Sequence, residues 1–213
     1  MSQYQLDVLA EYHAEMLKQG KIVHCQSPAR ALILFVPKPD GRLRLCVNYR
    51  QLNKLRILNK YALPLISQIR ARVAGAKIIS KIDLKDDYHL IRIRAGDEWK
   101  MAFRIRYGHY EDKVMPFGLV NARATFQAIM NKILREFLDH GVVVYLHEIH
   151  IDSENYEEHV ELVKKVLARL EEHRLAIFLK KSVFHVPSEE FLGYIVAVDW
   201  VTMSKRKVEC IKK

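Results

Sequence analysis

Residues 126–151 read FQAIMNKILREFLDHGVVVYLHEIHI, and the hydrophobic period changes in the middle of this stretch. The first half repeats apolar side chains every three or four residues, which is typical of a helix with one buried face, and Gly141 ends that helix. An apolar run follows at 142–146, and a second run begins after a two-residue break at His147 and Glu148. The stretch therefore predicts a helix that leads directly into a β-hairpin.

The same alternation of helices and hairpins continues in both directions from this stretch. An N-terminal helix ends at Gly20, and a turn at residues 39–41 joins two strands in a hairpin. A capping pair, Asn155 and Glu158, opens a helix after the central hairpin. The other predicted elements are a helix at 67–76 and strands at 31–37, 42–49, 78–84, 88–94, 175–179 and 191–196. This order predicts an α+β fold in which helices pack on antiparallel strands.

Composition and charge narrow the class of protein. The chain has 213 residues, 50% hydrophobic and 28% charged, and this balance excludes a disordered or low-complexity chain. The length predicts one domain, or one domain with two lobes. A net charge of +10 favours a polyanionic partner, with nucleic acid first among the candidates. A solvated basic face explains the same charge without any partner.

The cysteines and the apolar runs predict an intracellular protein, in the cytoplasm or the nucleus. Cys25, Cys46 and Cys210 show no CxxC spacing, so they indicate neither a disulfide framework nor a zinc cluster and fit a reducing compartment. Acidic side chains such as Asp7 stand where a signal peptide needs an apolar segment, and the apolar run at 31–36 is too short to span a bilayer. We therefore expect a protein that is neither secreted nor embedded in a membrane.

Short blocks of sequence in a fixed order span nearly the whole chain. They are FVPK at 35–38, DGRLRLCVNYRQLN at 40–53, SKIDL at 80–84, YH at 88–89, WKMAF at 99–103, RYGHY at 106–110, VMPFGL at 114–119, NA at 121–122, ATFQ at 124–127 and FLGYIV at 191–196. Together these blocks resemble the reverse transcriptases of gypsy-type LTR retrotransposons. The resemblance implies a right-hand polymerase with an antiparallel palm sheet, fingers at roughly 1–75 and a palm at roughly 76–213. A chain of this length is expected to have no room for the thumb, RNase H, protease and integrase of a complete element.

The resemblance implies RNA-directed DNA synthesis, a phosphoryl transfer carried by two Mg²⁺ ions with Mn²⁺ as an alternative. Asp83 matches the first metal carboxylate of the family. The family's Tyr-x-Asp-Asp motif reads YLHE at 145–148 here, so His147 and Glu148 stand at the other catalytic positions. Mg²⁺ demands oxygen ligands, whereas imidazole suits borderline metals such as zinc. With Asp83 and Glu148 as its remaining metal carboxylates, the chain is expected to bind Mg²⁺ weakly.

The resemblance also implies residues that bind the nucleotide and the primer. Arg44 would contact the triphosphate, and Tyr88 would screen the sugar of the incoming nucleotide. Asp87 replaces the small residue, usually glycine, beside the triphosphate, and its charge would repel phosphate. The nucleotide-binding set is Lys38, Arg44, Asp86, Asp87, Tyr88, Phe117, Gly118 and Lys181, and the primer-grip-like set is Phe191, Leu192, Gly193 and Tyr194.

Further departures from the family pattern lie near the same hairpin. Arg123 replaces a proline, Trp200 replaces a turn glycine, and His150 and Asp152 place polar groups on a strand that is apolar in the family. If that strand is buried, each polar group costs about 1–3 kcal/mol unless it is paired. The run from His147 to His150 is one residue short of the zinc-protease motif, and its histidines point to opposite faces of a strand.

Three hypotheses follow from this sequence. The first is a truncated reverse transcriptase domain of a retrotransposon, catalytically impaired, whose partners are an RNA or DNA template-primer and, if it is active, deoxynucleoside triphosphates. The second is a non-catalytic module, derived from that domain, that binds nucleic acid or protein. The third is a remnant without a role. We prefer the first.

Overall fold

Helices alternate with β-hairpins along the chain, as the hydrophobic periods predict, and the fold is α+β. The structure, a computed structural model, describes residues 1–37, 41–65, 77–85, 87–197 and 200–212. The predicted helix at 67–76 and the predicted site residues Lys38 and Asp86 lie outside the described residues, as does the side chain of Asp87.

The helices and strands follow one another in an order that matches most of the predicted elements. They are α1 (Gln3–Lys18), β1 (Ile22–His24), β2 (Ala31–Pro37), β3 (Leu43–Val47), α2 (Arg50–Leu55), β4 (Ile78–Asp83), β5 (Ala102–Ile105), β6 (Gly108–Asp112), α3 (Ala122–Ile133), β7 (Val142–Tyr145), β8 (Glu148–Ser153), α4 (Tyr156–Glu172), β9 (Val183–Val186), β10 (Ser188–Phe191), β11 (Tyr194–Ala197), β12 (Val201–Met203) and α5 (Lys205–Lys212). No helix in the part of the chain that the structure describes has the length and apolar character needed to cross a membrane.

A first compact unit consists of Met1–Asn59 and Tyr88–Arg123. It holds a five-stranded sheet in the order β1-β6-β5-β2-β3, in which the predicted hairpin of β2 and β3 is present. Phe103 and Tyr110 face each other across β5 and β6, and both side chains are fully buried. The sheet and α1 therefore bury one apolar core, in line with the helical spacing of the N-terminal segment.

A second compact unit consists of Lys60–Asp87 and Ala124–Lys213. It holds a four-stranded sheet in the order β7-β8-β4-β9 and a three-stranded sheet in the order β10-β11-β12. Helix α4 packs on β8 and β4, and the side chain of Asn155 accepts a hydrogen bond from the backbone N–H of Glu158 at its start, as predicted. The central helix and hairpin are present as α3, β7 and β8, but α3 ends at Ile133 instead of running on to Gly141, because the chain passes through a series of turns over 134–141 before β7 begins.

The predicted strand at 88–94 is wrong. Its first residues form the 3-10 helix Asp87–Leu90, and Arg92 makes an isolated bridge to Val114. The segment that carries Val114 reaches Pro116 two residues later, and a proline has no N–H with which to extend a ladder. The alternation of side chains in 88–94 therefore does not become a regular strand.

Several further boundaries differ from the prediction. The strand predicted at 175–179 forms one bridge, between Ile177 and Leu84, because the chain then turns into the 3-10 helix Leu179–Lys181. The strand predicted at 191–196 is a hairpin of β10 and β11, whose turn includes Leu192 with φ +53°. A positive φ is rare for leucine, so the apolar run concealed the turn. The central turn lies one residue earlier than predicted, which places Glu148 in β8.

Candidate functional site

The candidate site begins with the pairing of two strands in the second unit. β4 and β8 run antiparallel, and their register places Asp83, the last residue of β4, opposite Glu148, the first residue of β8. Side chains of directly opposed residues in an antiparallel pair lie on the same face of the sheet. The two carboxylates therefore reach the same end of the sheet from neighbouring strands.

The turn between β7 and β8 is held in place by a buried glutamine of α3. Gln127 donates from Nε2 to the carbonyl of Val144 at 3.0 Å, and its Oε1 accepts from the backbone N–H of Leu146 at 2.8 Å. Leu146 has φ +53°, an uncommon conformation for a residue with a side chain. The His147 carbonyl accepts from the N–H of Leu84 at 2.9 Å. These bonds fix the backbone that carries His147.

Asp83, His147 and Glu148 converge at this point. One ligand atom from each, a carboxylate oxygen or an imidazole nitrogen, lies within 4.8 Å of the corresponding atoms of the other two. Asp83 is buried at 6% exposure, whereas His147 and Glu148 are half-buried. The cluster is thus open on one side, and its donor atoms are one imidazole and two carboxylates.

Burial is the main influence on the pKa of Glu148. It raises the pKa of Glu148 above its ordinary value, while Lys81 and, less strongly, His147 lower that pKa. Lys81 forms an ion pair with Glu189 and donates a hydrogen bond to the carbonyl of Glu190 at 2.8 Å. One oxygen of Glu148, Oε2, is buried and has no hydrogen-bond partner among the described residues. This oxygen could instead coordinate a cation.

The donor set does not fit the two Mg²⁺ ions that the resemblance implies. Mg²⁺ takes oxygen ligands in near-octahedral order, and a pair of such ions needs several anionic oxygens between them. Of the three converging side chains, His147 offers a nitrogen in place of a carboxylate. The set suits a single ion of borderline character better than a pair of Mg²⁺ ions.

Lys181 is positioned by the segment that flanks Asp83. It ends the 3-10 helix Leu179–Lys181, and its Nζ lies 5.3 Å from the ring centroid of Phe178. The N–H of Phe178 donates to the Asp83 carbonyl at 2.7 Å, and Ser182 Oγ accepts from the Asp83 N–H at 3.0 Å. Lys181 therefore belongs to a segment bonded to the backbone of Asp83.

The primer-grip-like residues form the turn between β10 and β11. Phe191 is buried at 2% exposure, and it packs with Ile79 and Val143 in the core of the second unit. Tyr194 pairs with Phe191 in register, and the Nζ of Lys207 lies 3.9 Å from its ring centroid. Leu192 and Gly193 form the turn itself.

In the first unit, predicted nucleotide-binding residues lie around one aromatic ring. The Phe117 ring lies 4.9 Å from the guanidinium carbon of Arg44 and 5.3 Å from the Tyr88 ring centroid. The carbonyl of Gly118 accepts a hydrogen bond from the Asn53 side chain at 2.8 Å. The structure thus brings Arg44, Tyr88 and Phe117 together.

The polar residues predicted on the return strand lie in β8. His150 has no exposed surface, and neither ring nitrogen has a hydrogen-bond partner among the described residues, although Oδ1 of Asp152 lies 3.8 Å from Nε2. Burial lowers the pKa of His150 to about 3. The centroid of the His150 ring lies 5.2 Å from the centroid of the Phe191 ring. The expectation of a buried polar group on this strand is therefore confirmed for His150. Trp200 is half exposed.

Sequence reasoning missed a second buried histidine behind the site. His159 of α4 bonds through Nε2 to Ser80 Oγ at 2.8 Å and through Nδ1 to Ser153 Oγ at 3.1 Å. Ser80 Oγ also accepts a hydrogen bond from the backbone N–H of His185. A histidine in the apolar stripe of α4 was the available signal.

Comparisons with known proteins agree on one family. Residues 36–196 match the family model described as reverse transcriptase (RNA-dependent DNA polymerase). The Transposon Tf2-3 and Tf2-7 polyproteins of Schizosaccharomyces pombe are each 42% identical to this chain over 193 residues, which is 91% of this chain and 14% of the relative.

Solved structures of foamy viral protease-reverse transcriptase have the same fold as this chain. The complex with an RNA/DNA hybrid gives a TM-score of 0.91 at 25% identity, over 100% of this chain and 28% of that one. The complex with double-stranded DNA gives 0.87 at 25% identity, over 100% of this chain and 44% of that one. The chain therefore spans a minor part of the length of the proteins it matches.

Proposed function

The chain belongs to the reverse transcriptase family, and from that premise we propose that it is the reverse transcriptase domain of a gypsy-type LTR retrotransposon whose RNA-directed DNA synthesis is impaired. The 42% identity to transposon polyproteins over most of the chain supports a retrotransposon origin. The single observation that carries the proposed impairment is the donor set of Asp83, His147 and Glu148, in which an imidazole stands where the family has an aspartate.

The proposed impairment follows from the charge that is missing at residue 147. An imidazole gives no anion for a hard cation in either protonation state, and Glu148, one methylene longer than aspartate, is a partial substitute for the neighbouring ligand. Removing one electrostatic contact from an active site commonly costs 10²–10³ in rate. We expect synthesis in Mg²⁺ to be lower by at least about that factor than in a variant with both aspartates restored.

The proposed partners are an RNA or DNA template-primer and, for the restored enzyme, deoxynucleoside triphosphates. The solved relatives of this fold are described in complex with an RNA/DNA hybrid and with double-stranded DNA. The net charge of +10 supports a polyanionic partner for this chain as well. Arg44, Tyr88, Phe117, Gly118 and Lys181 are the described residues that we assign to nucleotide binding.

The division into fingers and palm stays part of the proposal. From the resemblance, the fingers take roughly residues 1–75 and the palm roughly 76–213. The compact units of the structure divide the chain differently, because Tyr88–Arg123 folds with Met1–Asn59.

Primer extension on an RNA template tests the proposal. The wild-type chain is compared in Mg²⁺ with the double variant His147→Asp/Glu148→Asp, and with the same double variant carrying Asp83→Ala. We expect extension from the double variant, little from the wild type and none after Asp83→Ala. His140→Asp, the same substitution at an exposed turn residue, is the matched control and should not raise activity. Efficient extension by the wild type in Mg²⁺ would refute the impairment.

A second candidate is a non-catalytic module that binds nucleic acid, which the net charge favours because phosphate contacts do not need metal ligands. It predicts that wild type and double variant bind primer-template equally and that log affinity falls linearly with log salt concentration. Salt-dependent binding together with no extension from the double variant would support this candidate over an impaired polymerase. Capture of a protein partner with no binding to nucleic acid would indicate a protein-binding module.

A further inference from the structure

The cluster of Asp83, His147 and Glu148 sits where the family holds Mg²⁺. We propose that these three residues bind one borderline transition-metal ion, Zn²⁺ in preference to Mg²⁺. This inference rests on the proposed function, because it takes the cluster to stand at the family's metal position, and it adds which ion the altered cluster selects.

Geometry is the first step of the argument. The three ligand atoms lie within 4.8 Å of one another. Ligand atoms around a tetrahedral zinc ion, with bonds of about 2.0–2.2 Å, lie roughly 3.3–3.6 Å apart. Small side-chain rotations therefore bring all three atoms onto one ion. Three protein ligands also leave the fourth position open for water.

The backbone that carries the ligands is already fixed. Asp83 and Glu148 are register partners in β4 and β8, and the carbonyl of His147 accepts a hydrogen bond from the backbone N–H of Leu84. A site built on paired strands needs little ordering when an ion binds. The buried Oε2 of Glu148 has no hydrogen-bond partner among the described residues, and coordination of a cation would compensate its buried charge. This oxygen is a second observation, independent of the clustering, that points to a cation.

Ligand chemistry decides which ion binds. One imidazole with two carboxylates is a mixed nitrogen and oxygen set, which suits Zn²⁺ and other first-row transition metals. Mg²⁺ keeps several waters, demands octahedral order and gains nothing from an imidazole nitrogen. The change from aspartate to histidine at residue 147 therefore shifts the preference of the site rather than only weakening it.

Equilibrium dialysis of the full chain with Zn²⁺ alone, and with Mg²⁺ as competitor, tests the inference. We expect one tightly held Zn²⁺ per chain that an excess of Mg²⁺ does not displace, and a visible absorption band when Co²⁺ is used as a spectroscopic substitute. His147→Asp should weaken Zn²⁺ binding by at least about tenfold and abolish the imidazole contribution to the Co²⁺ band. The matched control is His140→Asp, which removes one exposed histidine and should leave the tight site intact.

Two results would overturn the inference. One is tight Zn²⁺ binding that survives His147→Asp unchanged, because the ion would then sit elsewhere. The other is a Zn X-ray absorption spectrum of the wild-type complex with several imidazoles or with sulfur in place of one imidazole and oxygens. Neither result bears on polymerase activity, whereas efficient wild-type extension in Mg²⁺ would refute the proposed impairment without any zinc measurement. The two failures are thus distinguishable.

Discussion

Asp83 and Glu148 face each other as register partners at the end of the β4–β8 ladder, so the cluster retains one carboxylate from each of two neighbouring strands. Under the proposed function, the missing anionic charge is that of His147, in the turn between β7 and β8.

Single restorations at the two turn positions should differ in effect. His147→Asp adds a carboxylate where there is none, whereas Glu148→Asp shortens one that already lies opposite Asp83. We expect His147→Asp alone to regain more primer extension in Mg²⁺ than Glu148→Asp alone, with the double variant highest. Equal activity of the two single variants, after correction for folded protein, would show that side-chain length matters as much as charge.

Two buried histidines should respond in opposite directions to the same substitution. His150 has two ring nitrogens without partners among the described residues, so His150→Leu should stabilise the fold by about 1–3 kcal/mol. His159 forms hydrogen bonds with the hydroxyls of Ser80 and Ser153, so His159→Leu removes one buried hydrogen bond from each hydroxyl and should destabilise the fold by a similar amount. Urea unfolding at neutral pH measures both. Destabilisation by His150→Leu would indicate a partner for that ring.

The same histidines make the fold sensitive to acid. Burial is the main cause that lowers the pKa of His150 to about 3 and of His159 to about 4, against about 6.5 in the unfolded chain. The unfolded chain takes up protons first, so the stability that depends on these two neutral rings is fully present above about pH 6.5 and falls as the pH drops toward these values. Urea midpoints between pH 7 and pH 4 should fall less steeply for His150→Leu than for wild type.

Secondary structure could be predicted where a hydrophobic period continued over many residues, and was predicted less well at short strands and turns. Apolar spacing alone predicted the helix and the hairpin of 126–151 in the right order, although the helix ends at Ile133 and the turn lies one residue earlier than predicted. The strand at 88–94 had the alternation of a strand but lacked a partner that could extend the ladder past Pro116. The turn at Leu192 was not predicted, because nothing in an apolar run indicates that one of its residues has a positive φ.

The ligand residues of the candidate site could be predicted from the sequence, but the residues that hold them in place could not. The resemblance pointed to Asp83, His147 and Glu148, and all three converge. The bond of Gln127 to the turn and the ion pair of Lys81 with Glu189 depend on three-dimensional neighbours that no local pattern specifies. Such contacts join residues far apart in the chain, so the local spacing of residue types does not predict them.

Gly141 should be the least replaceable of the turn glycines in the second unit. Its φ is +76°, and an added Cβ would lie 2.5 Å from the carbonyl oxygen of Asp152 and 3.0 Å from a methyl of Leu162. Gly96 is the matched control, because it has φ +86° with open space around it. Gly96→Ala should cost about 1–2 kcal/mol for the backbone alone, and Gly141→Ala about 1–3 kcal/mol more for the clash. Equal losses in thermal unfolding would contradict the clash.

Asp112 should make the first unit less stable as the pH rises. Its side chain is 1% exposed and accepts a hydrogen bond from the Tyr49 hydroxyl at 2.9 Å, and burial raises its pKa to about 8. The unfolded chain loses this proton near pH 4, so the stability due to the protonated carboxyl falls between about pH 4 and pH 8 and then levels off.

Asp112→Asn tests this dependence directly, because the amide keeps an acceptor for Tyr49 and cannot ionise. The variant should match the wild type near pH 4 and exceed it by on the order of a few kcal/mol at pH 8, since a tenfold change in an acid dissociation constant corresponds to about 1.4 kcal/mol. Asp97→Asn is the control at a carboxylate whose pKa a hydrogen bond from Lys100 lowers, so its difference from the wild type should stay flat across that range. A difference for Asp112→Asn that does not grow with pH in urea unfolding would show that Asp112 is ionised in the folded chain at neutral pH.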